Sequence, residues 1–272
     1  MRVCLHNKTR IGTYLKQQAH LNLYKIGDLD PFFWPQTQWF GWQKEALEAV
    51  ALLYTGDQIP VLLLMENHAA AGELLASLAP LLPARFYAHL RPQMEHHLKG
   101  YRAIGGDTYL RMVQPDTVTS GKGQKVASNP GGAEYFTRVL APADVSEIRA
   151  FYAEHYPQNW FNPHMLNTNN YVGLYGNHTE SVDTQLLAVA GVHVFSEAES
   201  LAALGNIAVH THFRGRGLGT RVTGALCERL RQQFGIQTLG LNVNQCNTKA
   251  QRCYEKLGFE KKAIYQEWTF EK

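Results

Sequence analysis

The sequence has few cysteines, and they form no pattern typical of a disulfide scaffold or a metal cluster. The four are Cys4, Cys227, Cys246 and Cys253, and no two are spaced as Cys-x-x-Cys. Reduced thiols in a cytoplasmic protein are the simplest interpretation of this usage. We therefore expect a cytoplasmic location and no metal site.

The chain also lacks long hydrophobic runs and a strong excess of charge of one sign. Its longest apolar run, residues 61–65, is far shorter than the ~20 residues that a transmembrane helix needs. The 272 residues carry a formal net charge of +3 at pH 7, which is small for this length. We therefore expect neither a membrane nor a nucleic acid as a partner.

Hydrophobic residues make up 45% of the chain, enough for one large domain or two small ones. Residues 119–133 are rich in Gly, Ser, Lys and Pro without periodic apolar positions, which predicts a linker or a long surface loop. We therefore expect an N-terminal α/β domain over residues 1–118, acting as a scaffold, and a second domain over residues 134–272.

The N-terminal segment has elements of both types but no motif that indicates chemistry. The patterns predict helices over residues 44–54 and 70–82 and strands over 60–66, 85–90 and 108–113. The aromatic cluster at residues 32–42 is typical of packing. His89, His96 and His97 do not have a standard zinc spacing, so we expect them to be surface histidines.

The order of elements in the second segment predicts a layered α/β or α+β fold. The predicted order is a helix, three strands, a longer helix ending at Phe234, a strand, a short helix and a final strand. These cover residues 143–155, 171–175, 186–195, 204–213, 218–234, 239–243, 248–257 and 259–270.

The loop from Arg214 to Gly219, Arg-Gly-Arg-Gly-Leu-Gly, lies between a predicted strand and an amphipathic helix. The first amides of a helix lack intrahelical partners, and glycines allow phosphate oxygens to approach them closely. Two arginines add charge-assisted donors. This arrangement suits a pyrophosphate, although a solvated glycine-rich turn is the simpler alternative. The GxGxG spacing does not fit a nicotinamide-cofactor site.

A second motif, Asn247 to Phe259, forms a short helix with Asn247 as its N-cap. Tyr254 lies on the same stripe as Ala250 and Leu257. On its own this pattern indicates only a core tyrosine with its hydroxyl at the rim. The two motifs together, in this order and at this separation, are much less likely to occur by chance than either motif alone.

Together the two motifs resemble the GNAT superfamily of N-acetyltransferases over residues 134–272. Arg214, Gly217 and Gly219 match its R/Q-x-x-G-x-G/A loop, and Asn247, Ala250, Tyr254, Gly258 and Phe259 match its second motif. The resemblance implies a GNAT-type mixed central sheet flanked by helices. The layout of residues 1–118 resembles that of glycine-N-acyltransferase-like proteins, in which a degenerate GNAT half precedes the active one. Since ligand pockets favour domain interfaces, we expect this N-terminal domain to wall the acceptor cleft.

The resemblance implies direct transfer of an acetyl or short acyl group from acetyl-CoA to a primary amine of a small or amino-acid-like acceptor. Tyr254 would be the general acid for the leaving thiolate. A non-catalytic acyl-CoA-binding sensor is the alternative. The implied cofactor-binding residues are Ile207, Ala208, Val209, Arg214, Gly215, Arg216, Gly217, Leu218, Gly219, Thr220, Asn247 and Tyr254.

The general base is not evident from the sequence. Ala203, Leu204 and Gly205 stand where many members carry an acidic or histidine side chain, so the resemblance supplies no base. The candidates are His210, His212, His193 and a water held by Asn206. Residues 156–165, which are aromatic and rich in amides, occupy the segment where the family shapes its acceptor site.

Overall fold

The structure is a computed structural model that describes residues 1–114, 135–177 and 184–272. The predicted linker, residues 119–133, lies outside the described residues. The chain divides into two compact units: unit 1 comprises Met1–Met112, Asn242–Cys246 and Lys261–Lys272, and unit 2 comprises Val113–Leu241 and Asn247–Glu260. These units differ from the predicted domains because two segments near the C-terminus belong to unit 1.

Unit 1 is a mixed sheet with helices against it, and its strands have the order β1-β2-β3-β4-β5-β12-β6. The strand β12, numbered by its position along the chain, pairs antiparallel with β5. Strands β4 and β5 are parallel and paired from Val61↔Tyr87 to Leu64↔Leu90. The strands are β1 (Arg2–Cys4), β2 (Thr37–Gln43), β3 (Leu47–Tyr54), β4 (Val61–Leu64), β5 (Arg85–Leu90), β6 (Arg102–Gln114) and β12 (Glu260–Glu271), and the helices are α1 (Lys8–Lys16), α2 (Ala19–Gly27) and α3 (Ala69–Leu78).

The predicted helix over residues 44–54 is wrong, because this segment forms the strand β3. Five consecutive residues, Ala49 to Leu53, are buried. A strand covered on both faces loses the alternation of apolar and polar residues, and periodicity alone cannot then separate it from a buried helix. The other predicted elements of unit 1 are confirmed, and α3 packs its apolar face against β2 and β3.

His89 is also not the surface residue that the sequence suggested. Its side chain lies on β5 and is only 13% exposed, with Nε2 3.5 Å from a carboxylate oxygen of Glu267. Burial, reinforced by the nearby Arg111 guanidinium, lowers the pKa of His89 to about 3. His89 is therefore a neutral, buried histidine of the sheet at pH 7.

Unit 2 contains the second sheet segment, in the order β11-β10-β9-β8-β7. Strands β10 and β11 are parallel, and the other pairs are antiparallel. Helix α5 packs on β8, β9 and β10, and α4 contacts β10. The strands are β7 (Tyr135–Leu140), β8 (Tyr171–Asn177), β9 (Thr184–Ser196), β10 (Leu201–Val209) and β11 (Thr238–Asn244), and the helices are α4 (Val145–His155), α5 (Leu218–Phe234) and α6 (Thr248–Lys256).

The predicted elements of unit 2 are confirmed, with one difference in the strand predicted over residues 204–213. The strand β10 ends at Val209, and a 3₁₀ turn over Thr211–Phe213 follows it. His210 and His212 therefore do not share one face of a regular strand, as the sequence had suggested. Within the described part of the chain, no helix has the length and apolar character needed to cross a bilayer.

Candidate active site

Strand β10 is paired with β11 over only its first four residues, which leaves the later part of one edge unpaired with that strand. The two strands pair only from Leu201↔Thr238 to Leu204↔Leu241. The rest of β10 continues for five residues to Val209 while remaining paired with β9 on its other side. Residues 205–209 of β10 therefore have one strand edge that is not paired with β11. The predicted backbone ligands Ile207, Ala208 and Val209 lie on this stretch.

A bulge in β10 lies at the start of that open stretch. The register against β9 shifts between Gly205 and Ala208, and Asn206 has a positive φ of 52°. The Tyr152 hydroxyl donates to the Asn206 carbonyl at 2.5 Å, and Asn206 Nδ2 donates to the Tyr171 hydroxyl at 2.9 Å. Because burial raises the pKa of Tyr152 well above its usual value, this hydroxyl stays protonated and can hold the bulge.

The glycine-rich loop leads directly into α5. Gly215 and Gly217 have φ values of +79° and +80°, a conformation that favours glycine. Gly217 is the N-cap, and the first intrahelical bond runs from Arg221 N to the Gly217 carbonyl. The amides before Arg221 therefore have no partner within the helix. Among the described residues, no heavy atom outside the adjoining residues would lie within 4 Å of a Cβ at Gly215 or Gly217, so an anion can approach the backbone there.

The two arginines of this loop have different surroundings. Arg214 donates from Nε to the Val209 carbonyl at 3.2 Å and from Nη2 to the His155 carbonyl at 2.6 Å. Arg216 lies over the Phe213 ring, with its Cζ 5.0 Å from the ring centroid. Arg214 therefore fixes the geometry of the loop, whereas Arg216 carries a charge on an exposed side chain.

Helix α6 begins as the sequence predicted, with Asn247 Oδ1 accepting from the Ala250 amide at 3.1 Å. Tyr254 lies on the buried side of this helix and is 7% exposed. Its neighbour Cys253 accepts a hydrogen bond from the Thr220 hydroxyl at 3.2 Å, which joins α6 to the first turn of α5. The two motifs recognised in the sequence therefore meet in space.

The histidines suggested as bases lie in three different environments. His210 is buried, with its ring 3.9 Å from that of His155. His212 is exposed on the 3₁₀ turn. The His193 ring lies over Gly205, since a Cβ there would come within 2.0 Å of its Nε2. Burial lowers the pKa of His155, as do the Arg214 and His212 charges, while Glu154 opposes them.

A cavity near the bulge is lined by residues of α4 and by residues of the segment 156–165, where the sequence predicted the acceptor site. Arg149, Tyr152 and Tyr156 from α4 and its end, with Asn159 and Phe161 from the following loop, line this cavity, which has a volume of about 310 Å³. Arg149 is the charged residue among its lining residues. The Asn159 Nδ2 atom is buried and has no hydrogen-bond partner among the described residues. Tyr156, Asn159 and Phe161 belong to the predicted acceptor segment, whereas Arg149 and Tyr152 were not predicted as site residues. The signal of Tyr152 in the sequence was only its place on the buried face of a helix.

The sequence model described as the acetyltransferase (GNAT) family matches residues 143–259. A curated relative, the [ribosomal protein bS18]-alanine N-acetyltransferase of Haemophilus ducreyi, is 41% identical over 63 residues. That match covers 23% of this chain and 43% of the relative, so it spans less than half of the relative's length.

Two solved structures are similar to nearly the whole chain. A Drosophila protein has a TM-score of 0.65 at 14% identity and covers 100% of this chain and 98% of its own. A tandem GNAT protein from the clavulanic acid biosynthesis pathway has a TM-score of 0.58 at 14% identity, and the match covers 99% of this chain and 97% of that protein. At these identities the similarity shows the fold alone.

Residues 143–259 thus form an acetyltransferase domain of the GNAT family. The predicted mixed α/β fold flanked by helices is confirmed. Members of this family use acetyl-CoA as cosubstrate, so the predicted class of domain, a CoA-dependent N-acetyltransferase, and its predicted cosubstrate are confirmed at the level of the family.

Proposed function

We propose that this protein transfers an acetyl or short acyl group from acetyl-CoA directly to the primary amine of a small, amino-acid-like acceptor. The observation that carries the proposal is the open edge of β10 ending at the glycine-rich start of α5. The pantetheine arm of acetyl-CoA needs a strand edge whose backbone groups can form hydrogen bonds with it. The pyrophosphate needs backbone amides that have no partner within a helix. In this chain the two features follow each other within ten residues of sequence.

The pyrophosphate would bind the amides of Leu218, Gly219 and Thr220 at the start of α5. These amides carry the positive end of the helix dipole, and the exposed Arg216 adds a charge-assisted donor. The pantetheine arm would run along residues 207–209 of β10. Asn247 would support this site by fixing the first turn of α6, which carries Tyr254.

Tyr254 would protonate the leaving thiolate as the thioester breaks. A phenol is a hydrogen-bond donor at neutral pH, because its ordinary pKa is about 10. In direct transfer the amine attacks the carbonyl carbon, the C–S bond breaks, and the sulfur receives a proton while the ammonium loses one. Acid–base help of this kind is typically worth ~10²–10⁴ in rate.

For the proton lost by the acceptor, we propose a water held at Asn206. Its side-chain nitrogen donates to Tyr171, which orients the amide oxygen at the other end as an acceptor. His210 is buried against His155 and lies beyond the end of β10, which makes it a poorer candidate than the sequence suggested. Of the other two histidines, His212 is exposed on the 3₁₀ turn, and His193 is the better side-chain candidate because it lies over Gly205, next to the bulge.

The acceptor would bind in the cavity formed by α4 and the loop after it. Its floor includes Tyr152, whose hydroxyl contacts the β10 bulge, so the cavity reaches towards the proposed acetyl position. Aromatic rings and the donors of Arg149 and Asn159 suit an acceptor that carries a carboxylate beside its amine. None of the described residues that line the cavity is acidic, which disfavours polyamines.

The test is acetyl-CoA turnover, read as free thiol, against matched pairs of amines. Each pair contains an amino acid and the amine that lacks its carboxylate, and a peptide with a free N-terminus is added because of the curated relative's name. We expect turnover with amino acids and at least about tenfold less with their partners, since a charge-assisted contact is lost. An Arg149→Gln variant should reduce this preference.

A non-catalytic acyl-CoA-binding module is a second candidate, favoured by one observation. Strand β10, Leu201–Val209, carries no ionisable side chain that could act as the base. Such a module would bind acetyl-CoA in calorimetry without releasing thiol in the presence of any acceptor. That result would contradict the proposed transfer reaction.

A further inference from the structure

Three side chains that commonly bind metals come together at the C-terminal end of α4. Glu154 and His155 are the last two residues of this helix, and His210 directly follows β10. One ligand atom from each lies within 4.8 Å of the others. Glu154 Oε1 is 3.9 Å from His155 Nε2, and the two imidazole rings are 3.9 Å apart between centroids.

We propose that this cluster binds a divalent transition-metal ion such as Zn²⁺, through Glu154, His155 and His210. Two imidazoles and one carboxylate are a ligand set that Zn²⁺ and its neighbours in the first transition series accept. Bonds of about 2.0–2.2 Å to one tetrahedral ion hold ligand atoms roughly 3.5 Å apart. Small side-chain movements therefore close the site.

The cluster is partly buried and partly exposed, so an ion could reach it from solvent. His155 and His210 are buried, whereas the Glu154 side chain is 73% exposed and free to turn towards the imidazoles. The Thr211 hydroxyl lies 3.4 Å from His155 Nδ1, where it can orient the ring as an outer partner. The exposed side of the cluster leaves the fourth position to water.

The contacts that oppose binding include a long hydrogen bond to His210 and a nearby cation, and neither is strong enough to prevent it. The His212 amide donates to His210 Nδ1 at 3.3 Å, and coordination through Nε2 would give up this long hydrogen bond. One such bond is small beside the free energy of metal–imidazole coordination. The Arg214 guanidinium is the nearby cation, but its donors are directed at backbone carbonyls, and the Glu154 carboxylate offsets its charge.

The test uses the full chain without a histidine tag, stripped with a chelator and titrated with Zn²⁺ in a calorimeter and with Co²⁺ in an absorption spectrometer. We expect one ion per chain and a tetrahedral Co²⁺ spectrum. The variants Glu154→Gln and His210→Ala should each lower the affinity at least about tenfold, because even outer partners contribute that much. His212→Ala, which removes the adjacent exposed imidazole, should leave the affinity unchanged.

A second pair of neighbouring imidazoles, His96 and His97 in unit 1, has ring centroids 4.1 Å apart and serves as the competing site. Loss of binding in His96→Ala would overturn the proposal, as would unchanged binding in both Glu154→Gln and His210→Ala. Because Glu154 is exposed, its variant should keep the wild-type circular dichroism spectrum. A failure of His210→Ala to fold therefore leaves Glu154→Gln to decide the question.

Discussion

The guanidinium of Arg214 donates a 2.6 Å hydrogen bond to the backbone carbonyl of His155, the last residue of α4. The carbonyls at the end of a helix have no intrahelical partner, so this charged donor caps α4. The same side chain also bonds the Val209 carbonyl at the end of β10. Arg214 therefore ties the glycine loop to a strand and to a helix within unit 2.

Arg214→Ala and Arg216→Ala should have different effects. Loss of Arg216 should weaken CoA binding by about 1.5–3 kcal/mol, or about 10–150-fold, through loss of a charge-assisted contact, with little change in melting temperature. Loss of Arg214 should weaken binding and also lower the melting temperature, because the Val209 and His155 carbonyls lose their charged donor. Calorimetry and thermal unfolding measure the two quantities. Unchanged CoA affinity in both variants would remove the pyrophosphate assignment.

Tyr254→Phe should lower kcat while leaving CoA affinity nearly unchanged. Negative charge develops on the sulfur only in the transition state, so the hydroxyl contributes mainly there. We expect a loss of roughly 10²–10⁴-fold in kcat. Steady-state kinetics with the best acceptor, together with calorimetry of CoA, gives both numbers. Wild-type turnover by the variant would make Tyr254 only a packing residue of α6.

The full chain should bind one CoA. In unit 1, β4 is paired with β5 up to its last residue. In unit 2, by contrast, β10 continues for five residues beyond its pairing with β11. The parallel pair β4 and β5 of unit 1 therefore leaves no comparable unpaired stretch on β4. Gly217→Val should abolish binding, because φ of +80° strains a β-branched residue by about 1–3 kcal/mol and disturbs the start of α5. Residual stoichiometric binding in that variant would reveal a second site.

Acidification should destabilise unit 1 through His89. Its pKa is about 3 in the folded protein against 6.5 for an unperturbed histidine, so the unfolded chain binds the proton more readily. This contribution to stability is complete above about pH 6.5 and is lost as pH falls towards 3, by at most about 1.4 kcal/mol per pH unit.

Urea unfolding between pH 7 and pH 5 measures this dependence, with tryptophan fluorescence as the probe of unit 1. The His89→Gln variant should show a flatter pH dependence than the wild type. His6→Gln, at an exposed histidine, is the matched control and should behave as the wild type does. Equal slopes in all three proteins would contradict the assignment to His89.

The sequence predicted unit 2 well because its signals are local. The glycines before α5 and the N-cap Asn247 determine the backbone only within a few residues of their own positions. Their roles can therefore be predicted from the local sequence. The strand β3 was missed because burial on both faces removes the two-residue period. The α4 side of the cavity was missed because Arg149 and Tyr152 meet the predicted segment 156–165 and the β10 bulge only through tertiary packing.

The position of β12 has a consequence for how the protein folds during synthesis. This strand lies between β5 and β6 in unit 1, although more than a hundred residues separate it from β6 along the chain. At translation rates of about 5–20 residues per second, the nascent N-terminal half waits on the order of ten seconds for its missing strand. During that interval two apolar strand edges are open to chaperones, and a C-terminal truncation would leave them open permanently.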